Sequence, residues 1–359
     1  MRKKTLLILI LILGTMTVSA QRRIYHIPDL QGYVTLKCDF HSHTVFSDGY
    51  VWPTNRIDEA WRDGLDAIAI TDHIEYQPRK AYIPTDHNAA WEIAGARAGD
   101  RNIILVHGAE ITRSMPPGHL NALFITDADS LNKPDFIKVI ETAIKQGAFI
   151  QWNHPGWKAQ EPDGIPKFYP VHKELIARGW LHGIEYYNDQ EFYPLVMDMC
   201  RENGLAVMGN SDIHGVISET FPAPAYTHRP ITLVFAKERT PESLREAMFA
   251  GRTAVWYGNS LAGFEEYVAP LFRSAVTAGA PFRDDGKSIW FELSNNSDLP
   301  MELTGGPEGA PAEITLPASG MAIVKADRRF LDEPITYSVS NIITGTNTVL
   351  KAEIRPAAN

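Results

Sequence analysis

Thr35-Leu36-Lys37-Cys38-Asp39 runs without a break into Phe40-His41-Ser42-His43-Thr44. Residues 35–39 read as a short strand. His41 and His43 are two apart on an extended chain, so both rings point to one face. That is the simplest way for a strand to offer two imidazoles to one metal ion. A lone His-x-His is a weak signal, and its meaning depends on what surrounds it. Asp48 follows in Ser47-Asp48-Gly49, a turn able to swing a carboxylate back toward the same mouth.

Further strand ends carry the same chemistry. A strand at 66–71 leads into Asp72-His73, where neighbours face opposite ways and one of the two joins the cluster. A strand at 102–109 ends on Glu110, with His107 facing elsewhere as a structural residue. His119 opens a strand at 120–126. A strand at 148–152 runs into Asn153-His154-Pro155. A strand at 205–208 runs into Asn210-Ser211-Asp212-Ile213-His214, whose period of two puts Asp212 and His214 on one face.

Helices separate these strands. Residues 55–62 follow Pro53 and close at Gly64. The spacing predicts further helices over 88–98, over 134–146 before Gly147, and over 192–203 before Gly204. Two more strands are expected at 183–187 and 231–236. A helix over 241–250 has Thr240 as its N-cap, Pro241 at its first position and Gly251 beyond its end. Repeated βα units imply a parallel sheet, closed into a barrel or open and doubly wound.

The texture changes over 262–270. Beyond 271 the chain alternates like half-buried strands at 288–293, 301–304, 312–316, 322–325, 335–339 and 346–354. The expected organisation is an α/β domain over 32–260 and a small all-β, sandwich-like domain over 271–359, with packing as a structural cap the expected role of the second.

Six of the 12 histidines and three acids thus sit beside strand termini. In folds of this kind the C-terminal strand ends form the active face. So much imidazole and carboxylate in one place demands partners, because the acids repel one another and buried polar groups cost free energy unpaired.

The combination of Asp39-Phe40-His41-Ser42-His43-Thr44, Ser47-Asp48-Gly49, Thr71-Asp72-His73, Gly108-Ala109-Glu110, Asn153-His154-Pro155 and Asn210-Ser211-Asp212-Ile213-His214 resembles the PHP (polymerase and histidinol phosphatase) family in order and placement. The resemblance is closest to secreted bacterial PHP phosphodiesterases with a C-terminal β-domain. It implies a distorted (β/α)7 TIM-like barrel, two or three divalent ions (zinc, manganese or iron) and phosphoester hydrolysis. By the family pattern His41, His43, Glu110 and Asp212 hold one ion. Glu110, His119 and His154 hold a second, with Glu110 bridging. Asp48, His73 and His214 hold a third. The first two ions would sit about 3.5–4 Å apart and activate a hydroxide, held by way of Glu110 and Asp212, that attacks phosphorus in line. Arg113, His228 and Arg229 are candidate phosphate contacts. Trp152, Trp157, Tyr186 and Tyr187 are available to line a cleft, although their spacing equally fits a core.

Three rival readings share some of these residues. A histidinol-phosphatase-type monoesterase uses the same ligands, but an exported chain does not suit amino-acid biosynthesis. An amidohydrolase-like hydrolase also begins with His-x-His, yet usually needs a bridging Lys where Glu110 stands here. A non-catalytic exported binding protein on a decayed barrel would not need competent ligand types at all nine positions.

Composition narrows the classes further. The 359 residues are 44% hydrophobic and 21% charged, which excludes a disordered, collagen-like or coiled-coil chain. Arg2, Lys3 and Lys4, eight consecutive Leu and Ile residues at 6–13, and Val18-Ser19-Ala20 spell a signal peptide cleaved near Ala20. The apolar run falls short of the roughly 18 residues a membrane span needs. Removing residues 1–20 takes three basic and no acidic residues from a formal charge of −9, leaving −12. An exported, periplasmic or extracellular protein without a membrane span is expected, acting on a small phosphate ester and not on a nucleic-acid polymer. Cys38 and Cys200 are expected as buried free thiols.

Overall fold

The computed structural model describes residues 21–358 apart from 85, 224 and 226, so the export segment expected at 1–20 lies outside the described residues. Strands and helices alternate from β1 (Val34–Asp39) through α1 (Pro53–Arg62), β2 (Ala67–Ile70), α2 (Ala89–Arg101), β3 (Ile104–Ile111) and β4 (Leu120–Leu123). They continue with α3 (Phe136–Lys145), β5 (Phe149–Trp152), α4 (Pro170–Ala177), β6 (Gly183–Asn188), β7 (Glu191–Phe192), α5 (Val196–Asn203) and β8 (Ala206–Asn210). After α6 (Ile217–Thr220) come β9 (Ile231–Ala236), α7 (Pro241–Phe249), β10 (Thr253–Tyr257) and β11 (Ser260–Gly263).

Local chemistry sets the boundaries. Pro53 opens α1, where its missing N–H costs nothing. Asp135 caps α3 by accepting from the Lys138 N–H, and Thr240 caps α7 by accepting from the Ser243 N–H. The expected helix over 192–203 starts only at Val196. Its first residues pair instead as β7 with β6, Tyr187 opposite Phe192 and Asn188 opposite Glu191. A two-residue turn at Asp189-Gln190 makes this hairpin, with Asp189 at φ +50.

The sheet is mixed, which corrects the expectation of parallel strands throughout. β1–β2–β3 and β5–β6–β8 are parallel. β4 is antiparallel to both β3 and β5, and β9 is antiparallel to β1. β3 and β4 are joined by a short loop without a helix, so the chain simply turns back. Backbone pairing does not run round a closed ring among the described residues. Between the ends of β8 and β1 there is one bridge, Ser42 with Ile213. Side chains do the rest. Asn210 Oδ1 accepts from the Phe40 N–H at 2.8 Å, and Thr232 Oγ1 both accepts from Gly209 N–H (2.9 Å) and donates to Gly209 O (2.7 Å).

Gly209 is required there by close approach, since a Cβ would lie 2.1 Å from Val255 Cγ1 on β10. Val255 is fully buried and has no room to yield. Gly209→Ala is expected to lower stability by about 1–3 kcal/mol, read as a shift in the urea midpoint; an unchanged midpoint would refute the packing.

α8 (Glu265–Ala275) occupies the region where the sequence shows only a change of texture, with Pro270 inside it and Val268, Leu271 and Phe272 buried. All later extended segments are strands: β12 (Val276–Ala278), β13 (Arg283–Asp284), β14 (Ser288–Asn295), β15 (Met301–Thr304), β16 (Glu313–Leu316), β17 (Met321–Asp327), β18 (Ile335–Gly345) and β19 (Thr348–Ile354). β12, β13 and β17 pair with β14 in one sheet. β15, β16, β18 and β19 extend the first sheet, because β18 pairs in parallel with β11. Burial alternates residue by residue along β14. Phe291 and Val324 from one sheet and Leu303, Val339 and Leu350 from the other share a core with Phe235, Trp256 and Phe272. Burying such side chains contributes about 1.5–3 kcal/mol each, so the C-terminal strands are welded to the α/β part. Both cysteines are buried free thiols.

Candidate metal centre

All nine residues singled out at strand ends come together at one mouth of the α/β part. His41 and His43 leave β1 with ring centroids 5.1 Å apart. Both Nε2 atoms reach Asp212 Oδ1, at 3.1 and 3.0 Å. Asp212 follows β8 in the left-handed region at φ +48. Such backbone is uncommon for a residue other than glycine and marks a site where the surroundings dictate geometry.

Glu110 stands in the middle. Its two oxygens lie within 3.7 Å of five imidazoles: His73 at 2.7 Å, His119 at 3.1 Å, His41 at 3.5 Å, His154 at 3.6 Å and His43 at 3.7 Å. Asp48 Oδ1 approaches His214 at 3.2 Å, His73 at 3.4 Å and His43 at 3.9 Å. Three donor groups have their atoms within 4.8 Å of one another: His41, His43 and Asp212; His73, Glu110 and His119; and His43, Asp48, His73 and His214. His43 and His73 each belong to two of these groups, through different ring nitrogens or neighbouring acids. Of Asp72 and His73, only His73 enters the cluster. Asp72 accepts from Thr44 N–H (2.7 Å), Thr44 Oγ1 (2.6 Å) and Ser47 Oγ (2.5 Å), which fixes the turn that carries Asp48.

The donor set fits divalent cations. Despite these close contacts, His41 Nε2 and Glu110 Oε2 are buried atoms with no aligned hydrogen bond. His73 Nδ1 is close to Glu110 Oε2, but its aligned hydrogen bond is to Thr112 Oγ1 at 2.6 Å. Buried polar atoms left unpaired are costly, and a cation among them removes that cost. Imidazole with carboxylate suits zinc, iron or manganese.

The electrostatics express the same crowding. Burial opposes charge on His41, but Asp212, Glu185 and Glu110 together outweigh it and hold the ring well above its usual range. Burial and the neighbouring His214 and His73 push His43 down to about 3. Burial likewise opposes charge on His73, yet Glu110 and Asp48 raise it to about 10. Burial works against ionisation of Glu110 and Asp212 too, and the surrounding imidazoles hold both carboxyls well below the usual range.

Behind this cluster lies a layer the sequence reading missed. Glu185 on β6 is fully buried. It pairs with His41 Nδ1 at 2.9 Å and accepts from Gln151 (3.0 Å), Asn210 (3.0 Å), Asn188 (2.8 Å) and the His154 N–H (2.7 Å). Asn153 donates to Glu110 Oε1 at 2.9 Å and to Asn121 Oδ1 at 2.9 Å. Arg56 on α1 donates to the carbonyls of His43, Ile213 and His214, clamping two of the loops that carry ligand types. A charged residue inside an apolar strand was the available signal for Glu185. Partners of this kind orient imidazoles and fix their tautomers.

The three candidate phosphate contacts lie elsewhere. Arg113 is engaged by Glu75 and by the carbonyls of Thr112 and Lys133. Arg229 is fully buried between Asp39 and Asp63. His228 is buried against Trp256, with ring centroids 4.1 Å apart, and burial lowers it to about 4. None of the three lines the cavity, of about 420 Å³, that opens over the cluster. His107 stacks on Trp91 at 4.5 Å, outside the cluster. Trp152, Tyr186 and Tyr187 belong to the core, whereas Trp157 lines the cavity with Tyr76, Asp189 and Glu191.

The chain is similar over 93% of its length to a two-domain protein from Bacteroides vulgatus described as containing a predicted PHP-like metal-dependent phosphoesterase. The two are 38% identical with a TM-score of 0.89, and 98% of that chain is covered. An uncharacterised protein of Methanocaldococcus jannaschii is 27% identical over 190 residues, 50% of this chain and 82% of that protein. No family model matches the chain.

Proposed function

The chain belongs to the PHP-like metal-dependent phosphoesterases, and from that premise we propose that it is an exported phosphodiesterase working at the rim of a distorted (β/α)7 barrel. The observation that carries this reading is Glu110, one buried carboxylate with five imidazoles within 3.7 Å. His41, His43, Glu110 and Asp212 would hold one divalent ion, and Glu110, His119 and His154 a second. Asp48, His73 and His214 would hold a third. Bound divalent ions supply Lewis acidity and lower the pKa of water.

The chain's own residues do the positioning. Glu185 fixes the His41 ring through Nδ1, which leaves Nε2 facing the cluster. Asn153 orients the Glu110 carboxylate, and Asn188 reaches Asp212 Oδ2 at 3.3 Å. An amidohydrolase-type centre would bring a lysine into this set; among the described residues lining the cavity there is none.

Preference for diesters follows from charge. A monoester carries about −1.5 to −2 near neutral pH, a diester only one negative charge. Among the described residues, no Lys or Arg lines the cavity to neutralise the second charge. Metal-loaded protein is expected to hydrolyse bis(p-nitrophenyl) phosphate with a kcat/KM at least roughly tenfold above that for p-nitrophenyl phosphate, about 1.4 kcal/mol. Equal or reversed values would contradict the diester reading.

Export rests on residues 1–20. The mature protein is expected to begin near Gln21 and to be recovered outside the cytoplasm, read by intact mass and cell fractionation. An intact Met1 terminus would count against it. No helix of the described residues is long and apolar enough to cross a membrane.

A further inference from the structure

We infer that one ester arm of the substrate carries an alkylammonium group, recognised by Asp189 and Glu191 together with Tyr76 and Trp157; this rests on the phosphodiesterase reading of the same cavity.

The argument begins with what lines that cavity besides the ligand cluster. Two carboxylates stand there, Asp189 and Glu191, with no Lys or Arg among the described lining residues. Both come from the β6–β7 hairpin, whose turn holds Asp189 at φ +50. Aspartate tolerates that conformation in a two-residue hairpin turn. Asp189 Oδ1 is a buried atom with no hydrogen-bond partner. Glu191 uses one oxygen to accept from the Tyr193 hydroxyl at 2.9 Å. Two arginines bonded to backbone beside the cavity, at Asp48 and at Thr112, are committed there and to Glu75. Arg79 donates to the carbonyls of Ser47 and Asp48, and Arg113 is held by Glu75.

Aromatic faces complete the wall. Tyr76 stands edge-on to His73 at 5.9 Å and is 51% exposed. Trp157 stands edge-on to His154 at 5.3 Å and is 41% exposed. Large aromatics left this open contribute little to the core. Electron-rich ring faces beside carboxylates attract a weakly hydrated organic cation, and tryptophan is the strongest such face. An apolar ester arm gains nothing from Asp189 and Glu191, and an anionic one meets repulsion. The anionic phosphate belongs over the cluster, and the cationic arm belongs over the hairpin.

The test uses an isosteric pair, p-nitrophenyl phosphocholine and its carbon analogue p-nitrophenyl 3,3-dimethylbutyl phosphate. In each, hydrolysis forms one P–O bond from water and breaks the P–O bond to the aryl group. p-Nitrophenolate leaves, and the other arm stays on phosphorus. Metal-loaded full-length mature protein is expected to favour the cationic ester by about tenfold or more in kcat/KM. In Asp189→Asn/Glu191→Gln the ratio falls toward one. Calorimetric binding of phosphocholine against 3,3-dimethylbutyl phosphate should show the same preference and the same loss. A ratio near one in the parent protein, or a preference that survives the double substitution, overturns the inference. Selective binding of the cation by a protein that hydrolyses no phosphoester, bis(p-nitrophenyl) phosphate included, supports the recognition site and overturns the phosphodiesterase reading instead.

Discussion

Glu110→Gln is expected to lower turnover of an aryl phosphodiester by roughly 10³-fold or more, about 4 kcal/mol of transition-state stabilisation. Glutamine keeps the volume, and its carbonyl can still accept from Asn153, which donates to Glu110 Oε1 at 2.9 Å. What it removes is the charge that faces five imidazoles within 3.7 Å. The variant should also bind fewer divalent ions per chain than the parent. Its circular dichroism should be unchanged, because the apolar cores lie apart from this mouth. His41→Ala and Asp212→Asn are expected to behave in the same way. Parental turnover in any of the three, at full metal loading, would remove the basis of the ligand assignment.

Arg229→Met is the largest effect expected on stability. Its guanidinium is wholly buried, 3.1 Å from Asp39 and 2.7 Å from Asp63, and Asp39 is wholly buried as well. Deleting one partner of a buried pair strands the other charge in a medium that solvates it poorly, at a cost of about 3–5 kcal/mol. That is a large share of the roughly 5–15 kcal/mol a domain typically holds. Asp39 also accepts from the Ser211 hydroxyl at 2.5 Å and the Ser211 N–H at 3.1 Å, and from the His41 N–H at 3.3 Å. The pair therefore ties the loop of Asp212 to the loop of His41, and metal affinity should fall with stability. Where Arg229→Met alone is too unstable to purify, Arg229→Met/Asp39→Asn removes the stranded charge and should recover part of the loss. Urea midpoints measure both. A single variant within about 1 kcal/mol of the parent would show that the pair contributes little.

The ligand cluster was legible because its members sit in compact motifs at strand ends, where the period of two and the strand-to-loop transition say which way a side chain faces. His73 over Asp72 is one such case: the alternation allows one of them, and Thr44 and Ser47 take the other. Strand direction was not legible. β4 and β9 look like any apolar run, and nothing in their residues records that they pair antiparallel with their neighbours. The basic pair His228-Arg229 looked like a phosphate contact because its partners are remote, Asp63 lying 166 residues away and Asp39 190 residues away along the chain. Glu185 and the amides around it were hidden for a related reason. A single polar residue in a buried strand acquires its role only from long-range neighbours such as His41, 144 residues distant.

The most direct measurement of the central claim is anomalous diffraction from crystals of the mature chain grown with manganese or zinc, paired with metal analysis in solution. The account predicts at least two anomalous peaks among His41, His43, Glu110, Asp212, His119 and His154, and at least two ions per chain. Well-ordered crystals with no peak in that cluster, from protein that retains full phosphodiesterase activity, would contradict it.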